Sequence, residues 1–382
     1  MIRLSNSSRI KKTNYFKHIK FKIKMSTTNS KPVTVLFCGD PHFMVSNIPE
    51  VELFIERMTA LANEKKPDLI ICAGDLLHTH ERLHTLPLNK AYELIDKMRK
   101  ISKTYVLVGN HDYIQNQQFL TDNHWMNGMK EWDNTIIVDR VITEVINNVL
   151  FTFVPYVPPG RFQEALSTLD ENVALWRESD CIFAHQEFFG CKMGAIVSVE
   201  GDKWPLDYPE VISGHIHSKQ KPQQNVYYSG SAMQHAFGES SKNIIAYLTF
   251  ESGQKGYRLD EIDLNLPRKK IVYMDVENVD DYELPDTDDK IKITVSGVYD
   301  QFKALKKTKK YKKLVKDGAK VVFKAKKIEH EKKLSEKIVD ETAFSTILSE
   351  IVNQQKDSYL YETYELVVNN HTITHKDVVY LD

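Results

Sequence analysis

Five short polar clusters, most of them placed directly after an apolar run, constrain this chain more than any other feature. They are Asp40-Pro41-His42, Gly74-Asp75 with His78, Gly109-Asn110-His111-Asp112, His185, and Gly214-His215-Ile216-His217. The runs Val33–Cys38, Leu69–Cys72, Thr104–Val108, Cys181–Ala184 and Val211–Ser213 predict buried strands. Side chains at the carboxyl ends of sheet strands share one crevice however far apart they lie in sequence. Two aspartates, an asparagine and several histidines then meet there, a set of oxygen and nitrogen donors suited to two adjacent divalent metals. That combination points to metal-dependent hydrolysis of a phosphoester.

Two cations about 3.5 Å apart can clamp the attacking and leaving oxygens of an in-line displacement at phosphorus. Such a pair needs an anionic bridge, because a neutral donor cannot offset the repulsion between the ions. Asp75 is the expected bridge. Asp40, His42 and His217 are expected to hold the first metal; Asn110, His185 and His215 the second. The neutral amide of Asn110 leaves its site positive, which suits an anionic substrate. His111 is read as the group that contacts the phosphoryl oxygens or protonates the departing oxygen. Asp112 is expected to orient His111 by accepting from its other ring nitrogen. His78, three residues past the bridge, is expected to reach the same phosphate. An isolated Asp-x-His or His-x-His proves little; the ordered combination of all five clusters carries the reading. His80, His84, His124 and His235 are assigned to surface or loop positions with no ligand role.

The chain has 382 residues, enough for a catalytic domain and accessory segments. Its 42% hydrophobic and 27% charged content are ordinary for a globular protein. Cys38, Cys72, Cys181 and Cys191 form no CxxC ligand set, and the first three fall in or beside predicted strands as small buried hydrophobes. No run of 18 apolar residues is present, so no membrane span is expected. An intracellular protein, of cytoplasm or nucleus and open to a viral or phage origin, is the expectation.

The net charge of -1 hides a strong asymmetry. Residues 1–31 carry nine Lys or Arg and no acidic residue. They read as a basic extension on nucleic acid, as an organelle-targeting peptide, or as a leader ahead of translation starting at Met25. Residues 32–264 form the expected catalytic domain. Within it, helices are predicted at Val51–Asn63, Leu88–Arg99 and Phe162–Leu169, and a hairpin turn at Asn147-Asn148. Trp125 and Trp132 read as anchors of a polar stretch. A boundary near Leu264–Lys270 opens a small capping domain, 265–330, built as strand, one helix from Tyr299 to Val315, and strand. Between 301 and 340 there are 15 lysines against five acidic residues. They are a solvated face or a phosphate-contacting one. The tail, 331–382, is read as a helical, partner-binding segment; its amphipathic run at Ala343–Val352, with Phe344, Ile347, Leu348 and Ile351, has an apolar face that its own domain or a partner must cover.

On these motifs the chain resembles the calcineurin-like metallophosphoesterases. The resemblance implies an α/β (α+β) fold: a four-layer sandwich of two mixed β-sheets flanked by helices. Three features are similar to the DNA-repair nuclease branch of that superfamily, the SbcD-type subunit that pairs with an SMC-like ATPase. They are Gly74-Asp75-Leu76-Leu77-His78, Tyr228-Ser229-Gly230-Ser231 followed by Phe237-Gly238-Glu239, and the capping module after Leu264. The tail segments Ala343–Leu348 and Asp357–Tyr361 are similar in placement to the ATPase-binding segment of phage-type members. This likeness implies Mn²⁺ dependence, 3′-to-5′ duplex exonuclease and single-strand endonuclease activity in break repair, a homodimer, and DNA and the ATPase as partners. Two other functions fit the motifs: a nucleotide or small-molecule phosphodiesterase, and a nonenzymatic scaffold of a repair complex.

Overall fold

The computed structural model describes residues 31–169, 175–326 and 344–369. The basic extension up to residue 30 and much of the 331–382 tail therefore lie outside the described residues.

Six strands form the first sheet. β1 (Val33–Cys38), β2 (Leu69–Cys72), β3 (Lys103–Leu107) and β4 (Thr135–Val138) run parallel, and β13 (Ile245–Phe250) and β14 (Arg258–Ile262) extend it antiparallel beyond β1. A two-stranded ribbon pairs β8 (Lys192–Met193) with β9 (Ile196–Val197), and the second sheet also has six strands. Here β6 (Val149–Val154), β7 (Cys181–His185), β10 (Val211–Gly214) and β12 (Val226–Tyr228) are parallel. β5 (Ile142–Ile146) and β11 (Gln220–Gln223) close its edges antiparallel. The β5–β6 turn is the expected Asn147-Asn148, with φ of 47° and 65°, the left-handed pair that a two-residue hairpin turn demands.

The strands alternate as a pleat requires. Val33, Val35 and Phe37 of β1 join Tyr105, Phe151, Phe153, Phe183 and Phe250 in a core between the two sheets. Leu36 and Cys38 face the other way, into a core with α1 (Ile48–Lys65) and α2 (Thr85–Arg99). A third cluster, with Phe162, Trp176, Trp204 and Tyr228, covers the outer face of the second sheet. Two sheets with covered outer faces are the four-layer sandwich the sequence predicts. All four cysteines are buried and free. Trp125 and Trp132 do anchor their stretch, each with its ring 5.8 Å from Tyr92. The predicted helices start earlier or end sooner than expected. α1 has Pro49 in its first turn and ends where Lys66 turns left-handed (φ 44°) and donates to the Ala62 carbonyl. No helix among the described residues is long and apolar enough to cross a membrane.

A second compact unit comprises Val272–Pro285 and the residues from Lys292 onward; Asp286–Ile291 belong with the first unit. The segment Leu264–Lys270 is bonded into the first unit. Arg57 donates to the Leu264 carbonyl at 2.8 Å, and the Lys269 amide to Gln234 Oε1 at 2.7 Å. A three-stranded sheet combines β15 (Lys269–Asp275), β16 (Lys290–Gly297) and β17 (Lys320–Ala325), the last two parallel. The single helix expected from Tyr299 to Val315 is two, Tyr299–Leu305 and Lys309–Lys316. Thr308 is the reason: its hydroxyl accepts from the Tyr311 amide at 3.1 Å and starts a new helix. In the tail, helices cover Phe344–Gln354 and Ser358–Tyr364. Val352 is buried there, whereas Ile351 is half exposed.

Candidate metal centre

Parallel strands all point one way, so β1, β2, β3, β7 and β10 deliver Asp40, His42, Asp75, Asn110, His185, His215 and His217 to one crevice. The backbone there is strained. Asp40 (φ 36°), His42 (φ 44°), Asp75 (φ 50°) and His215 (φ 80°) are all left-handed without being glycine. Each such residue costs on the order of 1–3 kcal/mol, a cost typical of sites where side-chain direction matters. Glycine is needed beside them for space. A Cβ at Gly109 would run into Asp75 Oδ1, and one at Gly74 would lie 2.6 Å from His185 Nδ1.

One carboxylate oxygen stands between the two halves of the site. Asp75 Oδ2 is 3.5 Å from His42 Nε2 and 3.5 Å from His185 Nε2, while Oδ1 accepts from the His111 amide at 2.8 Å. On one side, Asn110 Oδ1 lies 3.0 Å from His185 Nε2 and 2.9 Å from His215 Nδ1. His185 Nδ1 is 2.6 Å from the Ala73 carbonyl oxygen. Donation there leaves a lone pair on Nε2, the form in which an imidazole ligates. On the other side, His42 Nε2 and His217 Nε2 converge to 2.9 Å. Asp40 Oδ1 accepts from the His215 amide at 2.8 Å, but its Oδ2 and His42 Nδ1 are buried without a hydrogen-bond partner among the described residues.

The charges are poorly balanced by protein groups alone. Burial pushes Asp40 up to about 6. Burial would raise Asp75 too, but His185 and then His42 hold it well below the carboxylate range. For His185 burial works against the charge, yet Asp75 and Asp40 lift the ring to about 9. Burial and the nearby His185 drive His215 down to about 3. An orphaned carboxylate oxygen, convergent imidazole nitrogens and a carboxylate facing both clusters fit two divalent cations, with Asp75 shared between them. Asp40, His42 and His217 would hold one, and Asn110, His185 and His215 the other.

The open side is richer in histidine than the sequence suggests. His78 and His111 stack at 5.6 Å, and each packs edge-on against His42. His80, read from sequence as a loop residue, stacks on His111 at 4.6 Å. His111 Nδ1 is 2.7 Å from the His78 carbonyl oxygen, which leaves Nε2 as the free nitrogen. That geometry corrects the role given to Asp112. Its carboxylate accepts from the Asp75 amide (2.7 Å), the Gly109 amide (3.0 Å) and Trp125 Nε1 (3.0 Å), so it braces the two ligand loops and not the His111 ring.

His235 is the residue that sequence reasoning missed. Its ring packs against His42 at 4.8 Å and His217 at 5.0 Å, and the ligating atoms of these three residues lie within 4.8 Å of one another. The available signal was Val226-Tyr227-Tyr228: it is a strand parallel to β10, so the loop after it opens on the same crevice. His84 and His124 join none of the candidate metal-binding groups found among the described residues.

Comparison with known proteins identifies a family and two viral relatives. Residues 33–219 match the calcineurin-like phosphoesterase family, a stretch that starts with β1 and runs just past His217. Two viral proteins named as phosphoesterases are 50% identical to this chain. 078R of Invertebrate iridescent virus 3 matches over 304 residues, 79% of this chain and 87% of its own length. 244L of Invertebrate iridescent virus 6 matches over 280 residues, 72% of this chain and 98% of its own. Among solved structures, a dimetal phosphatase from Danio rerio aligns at 11% identity with a TM-score of 0.43, over 61% of this chain and 97% of that one. The chain belongs to the calcineurin-like phosphoesterases, with the fold and donor set of a metal-dependent hydrolase.

Proposed function

We propose that this protein is a Mn²⁺-dependent DNA nuclease, a duplex exonuclease and single-strand endonuclease serving break repair or recombination. The observation that carries the reading is the imidazole wall of His78, His80 and His111 beside the shared carboxylate of Asp75. A small phosphomonoester needs little beyond the cations and one acid. A polymer must also have its scissile phosphate turned into line, and a row of rings on the open side can do that. Two divalent cations would supply Lewis-acid stabilisation of the phosphoryl oxygens and a more acidic water. His111, tied through Nδ1 to the His78 carbonyl, presents Nε2 to the phosphoryl group or the departing oxygen. Asp112 keeps the Asp75 and Gly109 loops in register.

Two further features support a nucleic-acid substrate. The helix Lys309–Lys316 and the preceding Lys306-Lys307 present many lysines, and among the described residues only Lys310 and Lys313 of these have an ion-pair partner, Glu283. Exposed lysines of this density suit a phosphate backbone. The helix Phe344–Gln354 is short for independent stability, which suits docking onto a partner, for which we propose an SMC-like ATPase, with the catalytic domain as a homodimer.

The test is direct. Full-length protein with Mn²⁺ should degrade duplex ends and nick single-stranded DNA. Hydrolysis of a small phosphodiester with no action on DNA, even with the ATPase present, would instead establish the nucleotide or small-molecule phosphodiesterase. Two cations bound with no hydrolysis of any phosphoester would establish the scaffold.

A further inference from the structure

The loop after β12 carries a carboxylate that none of the metal-binding motifs includes. Glu239 Oε1 lies 3.5 Å from His217 Nδ1, on the side of the ring away from the nitrogen that meets His42. Its other oxygen is fixed by two backbone amides, His235 N at 2.8 Å and Ala236 N at 2.9 Å. The loop itself is pinned. Gln234 Nε2 donates to the Glu239 carbonyl at 3.1 Å, and Gln234 Oε1 accepts from the Lys269 amide at 2.7 Å. Gly238, with φ of 96°, makes the turn that returns Glu239 toward the crevice. His235 fills the gap beneath, its Nε2 2.9 Å from the Asp40 carbonyl oxygen and its ring against both His42 and His217.

We propose that Glu239 is a positioning residue for His217: its carboxylate holds the Nδ1–H tautomer and ring angle, so that Nε2 keeps its lone pair toward the first cation. The need follows from the contrast with His185, whose Nδ1 already has a backbone carbonyl, Ala73 O, to donate to. His217 is partly exposed on a loop after β10, and Glu239 is the acceptor the fold brings to its far nitrogen. A carboxylate behind a ligating imidazole fixes its tautomer and raises its basicity, and its loss typically costs about 10- to 100-fold in metal affinity. Both Glu239 and His235 lie beyond residues 33–219, the stretch matching the family. The inference rests on the two-cation reading of the centre and not on DNA as substrate.

The experiment is Mn²⁺ titration of the full-length protein by calorimetry, with thermal melting of the metal-free protein alongside. Glu239→Gln keeps an oxygen for the His235 and Ala236 amides but removes the charge. Glu239→Ala removes both. In Glu239→Gln, one of two Mn²⁺ equivalents should weaken by about 10- to 100-fold. The other should stay at its wild-type affinity, and the metal-free melting temperature should match wild type. A weakened equivalent in Glu239→Ala accompanied by normal binding of both in Glu239→Gln would overturn the proposal, because it would mean that Glu239 only holds its own loop. Wild-type binding by both variants would also overturn it. If wild type takes up fewer than two equivalents, the two-cation reading itself falls, and the inference with it.

Discussion

The two halves of the metal centre are built on different principles. In the half formed by Asn110, His185 and His215, the side chains stand at strand ends and buried hydrogen bonds orient them, such as His185 to the Ala73 carbonyl. In the half formed by Asp40, His42 and His217, the neighbours are loops: His78, His80 and His111 on one side, His235 and Glu239 on the other. The first half would hold a cation rigidly. The second would hold one while exposing imidazole nitrogens to whatever enters the crevice. The difference teaches that ligation and substrate handling are separable here, and substitutions can separate them.

The largest effect is expected where the halves meet. Asp75→Asn keeps the shape of the shared side chain but removes the charge both cations need. Turnover of a phosphodiester should fall by at least about a thousandfold, with metal uptake impaired in both halves. Unchanged metal uptake would mean the halves do not share this oxygen. Next comes His111→Ala on the open side, with a drop of about 10²- to 10⁴-fold in kcat and both cations still bound. Loss of metal in step with activity would move His111 into the ligand set. A smaller and more selective effect is expected from the pair His215→Ala and His78→Ala. The first should empty one metal position by calorimetry. The second should leave both filled and lower duplex exonuclease about tenfold more than single-strand endonuclease, as expected for loss of one positioning contact.

The clusters of both halves that meet in the crevice were legible in the sequence, because an apolar run followed by a polar cluster announces both the strand and the side chain at its end, as at Cys181–His185. The two-sheet sandwich was legible through the family resemblance that those clusters carry. His235 and His80 were not, because a histidine in a polar loop carries no periodic signal, and only three-dimensional packing brings its ring to the site. The Asp112 role was misread for a related cause. Its nearest neighbour in sequence, His111, is not its partner in space, and its carboxylate is consumed by the Asp75 and Gly109 amides. Thr308 divides what the sequence predicts as one helix, Tyr299 to Val315.

The smallest effect lies away from both halves and serves as their control. Asp139, buried, is held by Lys130 (2.5 Å), Arg140 (3.2 Å) and His124 (3.4 Å). Burial would raise its carboxyl, but these partners hold it well below the usual value. With the folded value depressed, the stabilisation is present above the unfolded value near 3.9 and is lost as pH falls through the folded one. Asp139→Asn should therefore cost about 1–3 kcal/mol at neutral pH and less in strong acid, in denaturant melts. Metal affinity and kcat should not change. A changed metal affinity would show that the scaffold and the site are not independent.

The central claim is that Asp75 joins two cation positions into one centre, and Mn²⁺ electron paramagnetic resonance tests it most directly. Wild-type protein loaded with two equivalents should show the signal of a spin-coupled pair, and Asp75→Asn should lose the coupling. Two equivalents with uncoupled signals in the wild type, or saturation at one, would contradict the account.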